Sequence, residues 1–180
     1  IHERLVGSEM CIRDRLFIAL FFSPGVAIAV ALGTTFGFFL STPFIIALRA
    51  LSHLVFAVIG AWYLQKNPRI VLKDGQVTLA NWRFQSFNLV IGIIHAITEM
   101  LVVSAFFFMG NMPETYYSGG YFYTVFILMG VGGLIHSLVD YNIAYFVAGT
   151  LSKYFGIPIF TKAKQLEKKE IIGKTVKKVA

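Results

Sequence analysis

Two stretches of the chain place a histidine and an acid four residues apart within apolar sequence. They are Gly133-Leu134-Ile135-His136-Ser137-Leu138-Val139-Asp140 and, about forty residues earlier, Gly92-Ile93-Ile94-His95-Ala96-Ile97-Thr98-Glu99. Both read glycine, two aliphatics, histidine, a small residue, an aliphatic, one further residue, then an acid. On a helix that spacing puts imidazole and carboxylate on one face. Arg49 and His53 repeat the interval, and Asn88, Gly92, His95 and Glu99 line up as one helical stripe. Such groups can hydrogen-bond a solute, hold a cation, pass a proton or bond one another. Ionisable side chains inside a membrane-length apolar segment mark a functional site by default, because lipid makes them costly.

The elements that must position these groups follow from composition. The 180 residues are 57% hydrophobic and only 14% charged, with a mean hydropathy of +0.71. A soluble domain of this size cannot hide so much apolar surface, so an all-α integral membrane protein is expected. The formal charge of +7 is concentrated in two non-apolar stretches, which fits the positive-inside pattern and gives no reason to expect nucleic acid. The single cysteine, Cys11, excludes a disulfide framework or a cysteine zinc cluster, and no cofactor is expected. It falls within Leu5-Val6-Gly7-Ser8-Glu9-Met10-Cys11-Ile12-Arg13-Asp14, which reads as a translated transposase adapter from sequencing-library preparation. Residues 1–15 are therefore set aside as artefactual, and the native sequence is expected from about Arg15, without its own N-terminus.

Residues 16–152 form the expected transmembrane domain, with four complete crossings at about 25–41, 43–64, 85–109 and 121–151. Leu16 to Phe22 is too short to span ~30 Å of hydrocarbon at ~1.5 Å per residue and ends at Ser23-Pro24-Gly25, so it reads as a helix stub. In the first crossing Gly33 and Gly37 are expected to give a close-packing face. Pro43 opens the second, where Arg49 is placed either to reach a headgroup or to serve as a ligand. Between the second and third lies a basic connector whose Lys73-Asp74-Gly75-Gln76 suggests a turn, flanked by a short hairpin or an interfacial amphipathic segment. The last crossing is long, with Gly130, Gly132 and Gly133 marking a bend or a close contact. Residues 153–180 are expected as a soluble basic tail, a frayed helix with eight lysines against Glu167 and Glu170. The connector and tail are basic, whereas the Ser41–Pro43 turn and the Gly110–Gly120 loop carry no Lys or Arg. Four crossings put both basic stretches on one side, expected to be cytoplasmic.

The last two crossings are antiparallel if their loop is short. Measured from that loop, Glu99 lies ~15 Å deep and His95 ~21 Å, while His136 lies ~22 Å and Asp140 ~28 Å. Allowing about one turn of the long helix above the membrane brings Glu99 level with His136 and His95 level with Asp140. Three readings of the cluster stand open: a pocket for a small polar solute, a polar zipper that only fixes helix packing, and a metal site or proton relay. Walker A, Rossmann, His-Glu-x-x-His and Gly-x-Ser-x-Gly patterns are absent, and no nucleophile stands in a suggestive setting, so no enzyme is expected.

Three segments, Pro43-Phe44-Ile45-Ile46-Ala47-Leu48-Arg49-Ala50-Leu51, Ile94-His95-Ala96-Ile97-Thr98-Glu99 and Ile135-His136-Ser137-Leu138-Val139-Asp140, together with the short loops, resemble the substrate-binding S components of energy-coupling-factor vitamin transporters. The niacin branch is the most similar. The resemblance runs from Leu16 to about Phe155 and implies a bacterial cell-membrane protein of six helices with cytoplasmic termini. It also implies a vitamin bound from the outer side and an energising module of one transmembrane coupling protein and two ATPases. This chain departs from the pattern at its front, where only a stub precedes four crossings, so it would be the remnant of a six-helix bundle. The family's first-helix docking motifs have no counterpart here. The expected substrate-binding residues are Arg49, His53, Asn88, His95, Glu99, Tyr121, His136 and Asp140, with no metal. For nicotinate, Arg49 would meet the carboxylate and Tyr121 and Tyr123 would cover the ring, roles drawn from chemistry and not from matched motif positions. The alternatives are an assembly protein whose polar pairs only fix packing, a stand-alone secondary transporter, or an ion-binding protein.

Overall fold

The computed structural model describes residues 16–110, 112 and 114–179, so the adapter-like string lies outside the described residues. Residues 16–19 make a helical turn. The break at Ser23-Pro24 then starts α1 (Pro24–Ser41), with Ser23 Oγ accepting the Val26 N–H at 3.1 Å and Pro24 at a position that needs no donor. A tight turn at Thr42-Pro43 leads into α2 (Phe44–Lys66). α3 (Trp82–Phe108) is capped by Asn81, whose side chain accepts from Phe84 N–H and donates to Ile70 O at 2.7 Å. A short helix α4 (Glu114–Ser118) sits in the following loop. The last crossing, α5 (Phe122–Leu151), is wound as a π-helix over Phe122–Gly132 and as an α-helix from Gly133. α6 (Pro158–Val179) carries the basic tail.

α1, α2, α3 and α5 are each long and apolar enough to cross a membrane. They leave Phe36, Leu40, Leu101, Phe122 and Ile135 exposed on their outer faces, where lipid is the natural solvent. The molecule is a multi-pass all-α membrane protein. Packing sets the order α1 on α2, α2 on α3, and α3 on α5. The inner face of α2 reads Ala47, Ala50, His53, Phe56, Ala57, Gly60, Ala61 and Leu64, where Ala47, Ala50, Ala57, Gly60 and Ala61 are small residues that admit close neighbours.

Four features differ from or extend what the sequence suggested. α1 packs through Ala27, Ala31 and Phe38, whereas a Cβ added at Gly33 or Gly37 would meet nothing within 4 Å; among the described residues that glycine pair is not a packing face. Residues 16–21 are not peripheral: Phe17 and Phe21 lie in the centre of the core, with ring centroids 5.0 and 5.8 Å from Tyr141. The tail helix is continuous and its first turn is part of that core, since Ile157, Ile159, Phe160 and Ala163 are buried and Phe160 lies 5.4 Å from Phe21. In the connector the turn is real but the hairpin is not. Asp74 (φ 52°) and Gly75 (φ 76°) make the turn that closes a single Lys73–Gln76 bridge, preceded by a 3-10 turn at Pro68–Val71.

Connector and tail share one end of the bundle, as the charge pattern required. Tyr145 OH donates to Val71 O at 2.8 Å, Lys162 Nζ to Gln65 O at 3.1 Å, and Arg69 lies 3.4 Å from Glu170.

Candidate functional site

Glu99 is the point on which the buried polar groups converge. It is 2% exposed on the inner face of α3. From α2, Arg49 donates to Glu99 Oε1 through both Nε (3.2 Å) and Nη2 (3.1 Å). His53, one turn further along the same helix, brings Nε2 to 3.5 Å from that oxygen. The other oxygen, Oε2, faces His95 Nε2 at 3.9 Å. Arg49 therefore turns inward to a carboxylate and does not reach for a headgroup. Its place beside Ala47 and Ala50 on the small-residue face of α2 lets the α3 acid approach.

His95 is enclosed. Its Nδ1 is hydrogen-bonded to Ser137 Oγ of α5, and its ring lies 4.6 Å from those of both His53 and Phe56, edge-on to the first. Phe17 approaches to 6.3 Å from the core side. With one ring nitrogen fixed by Ser137, the other is left to face Glu99, so α5 sets the orientation of a histidine on α3.

The register between α3 and α5 differs from the expected one by about a turn. A Cβ on Gly133 would lie 3.6 Å from Glu99 Oε2, and one on Gly92 would meet Leu134 at 3.1 Å and Ser137 at 3.7 Å. Glu99 is thus level with Gly133 and His95 with Ser137, in place of His136 and Asp140. The reason is visible at the loop: Tyr121 packs against Phe107 and Phe108 at 5.4 and 4.9 Å and bonds Ser104 at 3.1 Å. The long helix starts beside the end of α3, without the extra turn allowed above it.

His136 and Asp140 form a pair within α5, Nε2 to Oδ2 2.9 Å. Asp140 is buried and the His136 side chain is 26% exposed. Asn88 lies about three turns from Glu99 on the α3 stripe, donating to Leu138 O at 3.3 Å, while its buried Oδ1 has no hydrogen-bond partner among the described residues. Tyr121 is not beside Glu99. It belongs to a layer of Val103, Met112, Val125 and Met129, with Ile45, Met100 and Tyr117, that covers the cluster towards the Gly110–Gly120 end. Tyr123 is more than half exposed. The structure thus brings Arg49, His53, His95 and Glu99 together, adds Ser137, and sets the other expected residues around them at greater distance.

His53, His95 and Glu99 offer three ligand atoms within 4.8 Å of one another. The guanidinium on Glu99 Oε1 already supplies the positive charge that an ion would bring, which argues against the cation reading of this cluster. A cavity of about 510 Å³ opens at the opposite, basic end, lined by Arg69, Lys73, Trp82, Arg83 and Glu167 among others; none of Arg49, His53, His95 and Glu99 lines it.

Over 155 residues the chain is 42% identical to the niacin transporter NiaX of Lactococcus lactis subsp. cremoris, a match that takes in 84% of this chain and 64% of that protein. The chain thus spans somewhat less than two thirds of its relative's length. No protein-family model matches the chain, and no solved structure does.

Proposed function

We propose that this chain belongs to a membrane-embedded niacin-binding subunit that takes the vitamin from outside the cell, energised by a coupling protein and ATPase subunits. The observation that carries the reading is the 42% identity to a niacin transporter over 155 residues. The cluster's chemistry suits the molecule, a pyridine ring bearing a carboxylate. Arg49 supplies a planar guanidinium for the carboxylate, His53 or His95 an N–H for the ring nitrogen, and Phe17 and Phe56 apolar walls. Tyr121 belongs to the cover on the outer side, and Asn88, His136 and Asp140 to the polar lining beneath it. The chain breaks no bond of its own in this scheme, since ATP hydrolysis lies in its partners, so it is no enzyme. Its basic end, with the C-terminal helix, faces the cytoplasm of a bacterial cell.

One observation favours a second reading. Glu99 already bonds Arg49 and His95 already bonds Ser137, which is the pattern of a polar zipper that serves only packing. Calorimetric titration of nicotinate into the protein in lipid nanodiscs separates the two. Arg49→Lys keeps a cation opposite Glu99 but loses the guanidinium fork, so nicotinate affinity should fall at least about tenfold with a small change in thermal stability. Unfolding without any binding by the wild type supports the zipper. Niacin uptake in cells that lack every coupling protein and ATPase of this kind would favour a stand-alone carrier.

A further inference from the structure

The carboxylate-binding group of the site is occupied by the protein itself. Arg49 Nε and Nη2 both donate to Glu99 Oε1, and His53 Nε2 approaches the same atom. The side chain of Glu99 is 3% exposed and that of Arg49 17%. Glu99 therefore holds the position that the carboxylate of a bound acid needs.

Charge balance fixes what must accompany exchange. With neutral imidazoles, the guanidinium and one carboxylate sum to zero. A second carboxylate entering the cluster leaves a net negative charge among buried groups, Glu99, His95 and Phe56 all being 2% exposed or less, and an uncompensated buried charge is costly. Among the described residues, the groups around Glu99 offer no other side chain with a fixed positive charge. α2 contributes Arg49 and His53, and α3 contributes His95. α5 contributes Gly133 and Ser137, and its titratable pair, His136 and Asp140, is engaged within the helix at 2.9 Å. α1 and residues 16–22 contain no titratable side chain.

We infer that a carboxylate ligand enters this site together with one proton, displacing Glu99 from Arg49 while the proton is taken up by the Glu99–His53–His95 group. The step is an exchange of ion-pair partners with a proton from the outer solution. No covalent bond other than that to the proton changes. Glu99 is then a stand-in for the ligand that keeps the empty site neutral, and a proton is the co-ligand. The inference rests on the niacin reading above for the identity of the acid.

Titration calorimetry of the wild-type protein with nicotinate, in buffers of differing ionisation enthalpy between about pH 6 and 8, counts the protons directly. Because the complex holds one proton more than the empty site, affinity should weaken by about tenfold per pH unit as pH rises, with close to one proton taken up per nicotinate. Glu99→Gln removes the competing charge, so this variant should bind nicotinate without proton uptake and with no dependence on pH. Binding by the wild type with no proton uptake and a flat pH profile overturns the inference and leaves the niacin site standing. Absence of nicotinate binding by the wild type at every pH overturns the niacin reading, and the inference with it.

Discussion

Ser137 is the residue on which the site's geometry turns and the one that residue-type reasoning passed over. In the repeated octapeptide it fills the slot of a small residue, where the other copy has Ala96, and nothing local marks it as functional. Its importance comes from facing His95 across two helices. Replacing Ser137 by alanine should lower stability by about 1 kcal/mol, the usual worth of one buried interhelical hydrogen bond. It should also free His95 to rotate, so that, on the proposed niacin reading, nicotinate affinity falls more than stability does. Thermal unfolding in detergent read beside the binding constant checks this, and a loss of stability with unchanged binding would make Ser137 mere packing. The other members of the cluster were legible because charge in an apolar segment is conspicuous by itself. Arg49, His53, His95 and Glu99 announced their faces through spacing alone, and they do converge. Which partner each would take was not legible, since that depends on a helix–helix register carrying no signature in either helix.

At the scale of elements that register is held by glycines, and not all glycines are equal. A Cβ at Gly92 would stand 3.1 Å from Leu134 Cδ1, and one at Gly130 2.7 Å from Met100 Sδ. These two positions allow α3 and α5 to approach closely enough for Glu99 to reach the level of Gly133. Gly33 and Gly37 have the same sequence look but open space around them. Gly92→Leu should therefore cost roughly 1–3 kcal/mol as an overpacked contact and pull His95 away from Ser137. Gly33→Leu should fall within about 0.5 kcal/mol, as for other substitutions that touch no packed surface. Thermal unfolding of the two variants side by side is the measurement, and an equal loss in both would mean the α3–α5 contact does not set the register. Helix number and extent were legible because four apolar runs must each satisfy their backbone internally in lipid. The burial of residues 16–21 and of Ile157–Ala163 was not. Short apolar runs beside a breaker or a lysine-rich tail look like fragments until the aromatic core that receives them is assembled.

For the whole molecule the consequence to test is its direction in the membrane. The connector and α6 bring Arg69, Lys73, Arg83, Lys162 and Lys164 to one end, tied by the Arg69–Glu170 and Lys162–Gln65 contacts. Glu170 there is held below the usual carboxylate range by its hydrogen bond from Lys174, then by the charges of Lys174 and Arg69. The opposite end has no Lys or Arg between Gly110 and Gly120 and one acid, Glu114, and it bears the Met112–Tyr117–Tyr121 layer over the cluster. On the proposed orientation, with the basic segments retained inside the cell, that layer would face outside, and a solute arriving from the medium would meet it before Arg49. In a Cys11→Ser background, Glu114→Cys should react with a membrane-impermeant maleimide in intact cells, whereas Lys168→Cys should react only after the cells are opened. Both positions are exposed, so access and not burial decides the labelling. The reverse pattern would turn the cover of the site towards the cytoplasm and would be incompatible with uptake of niacin from outside by this route.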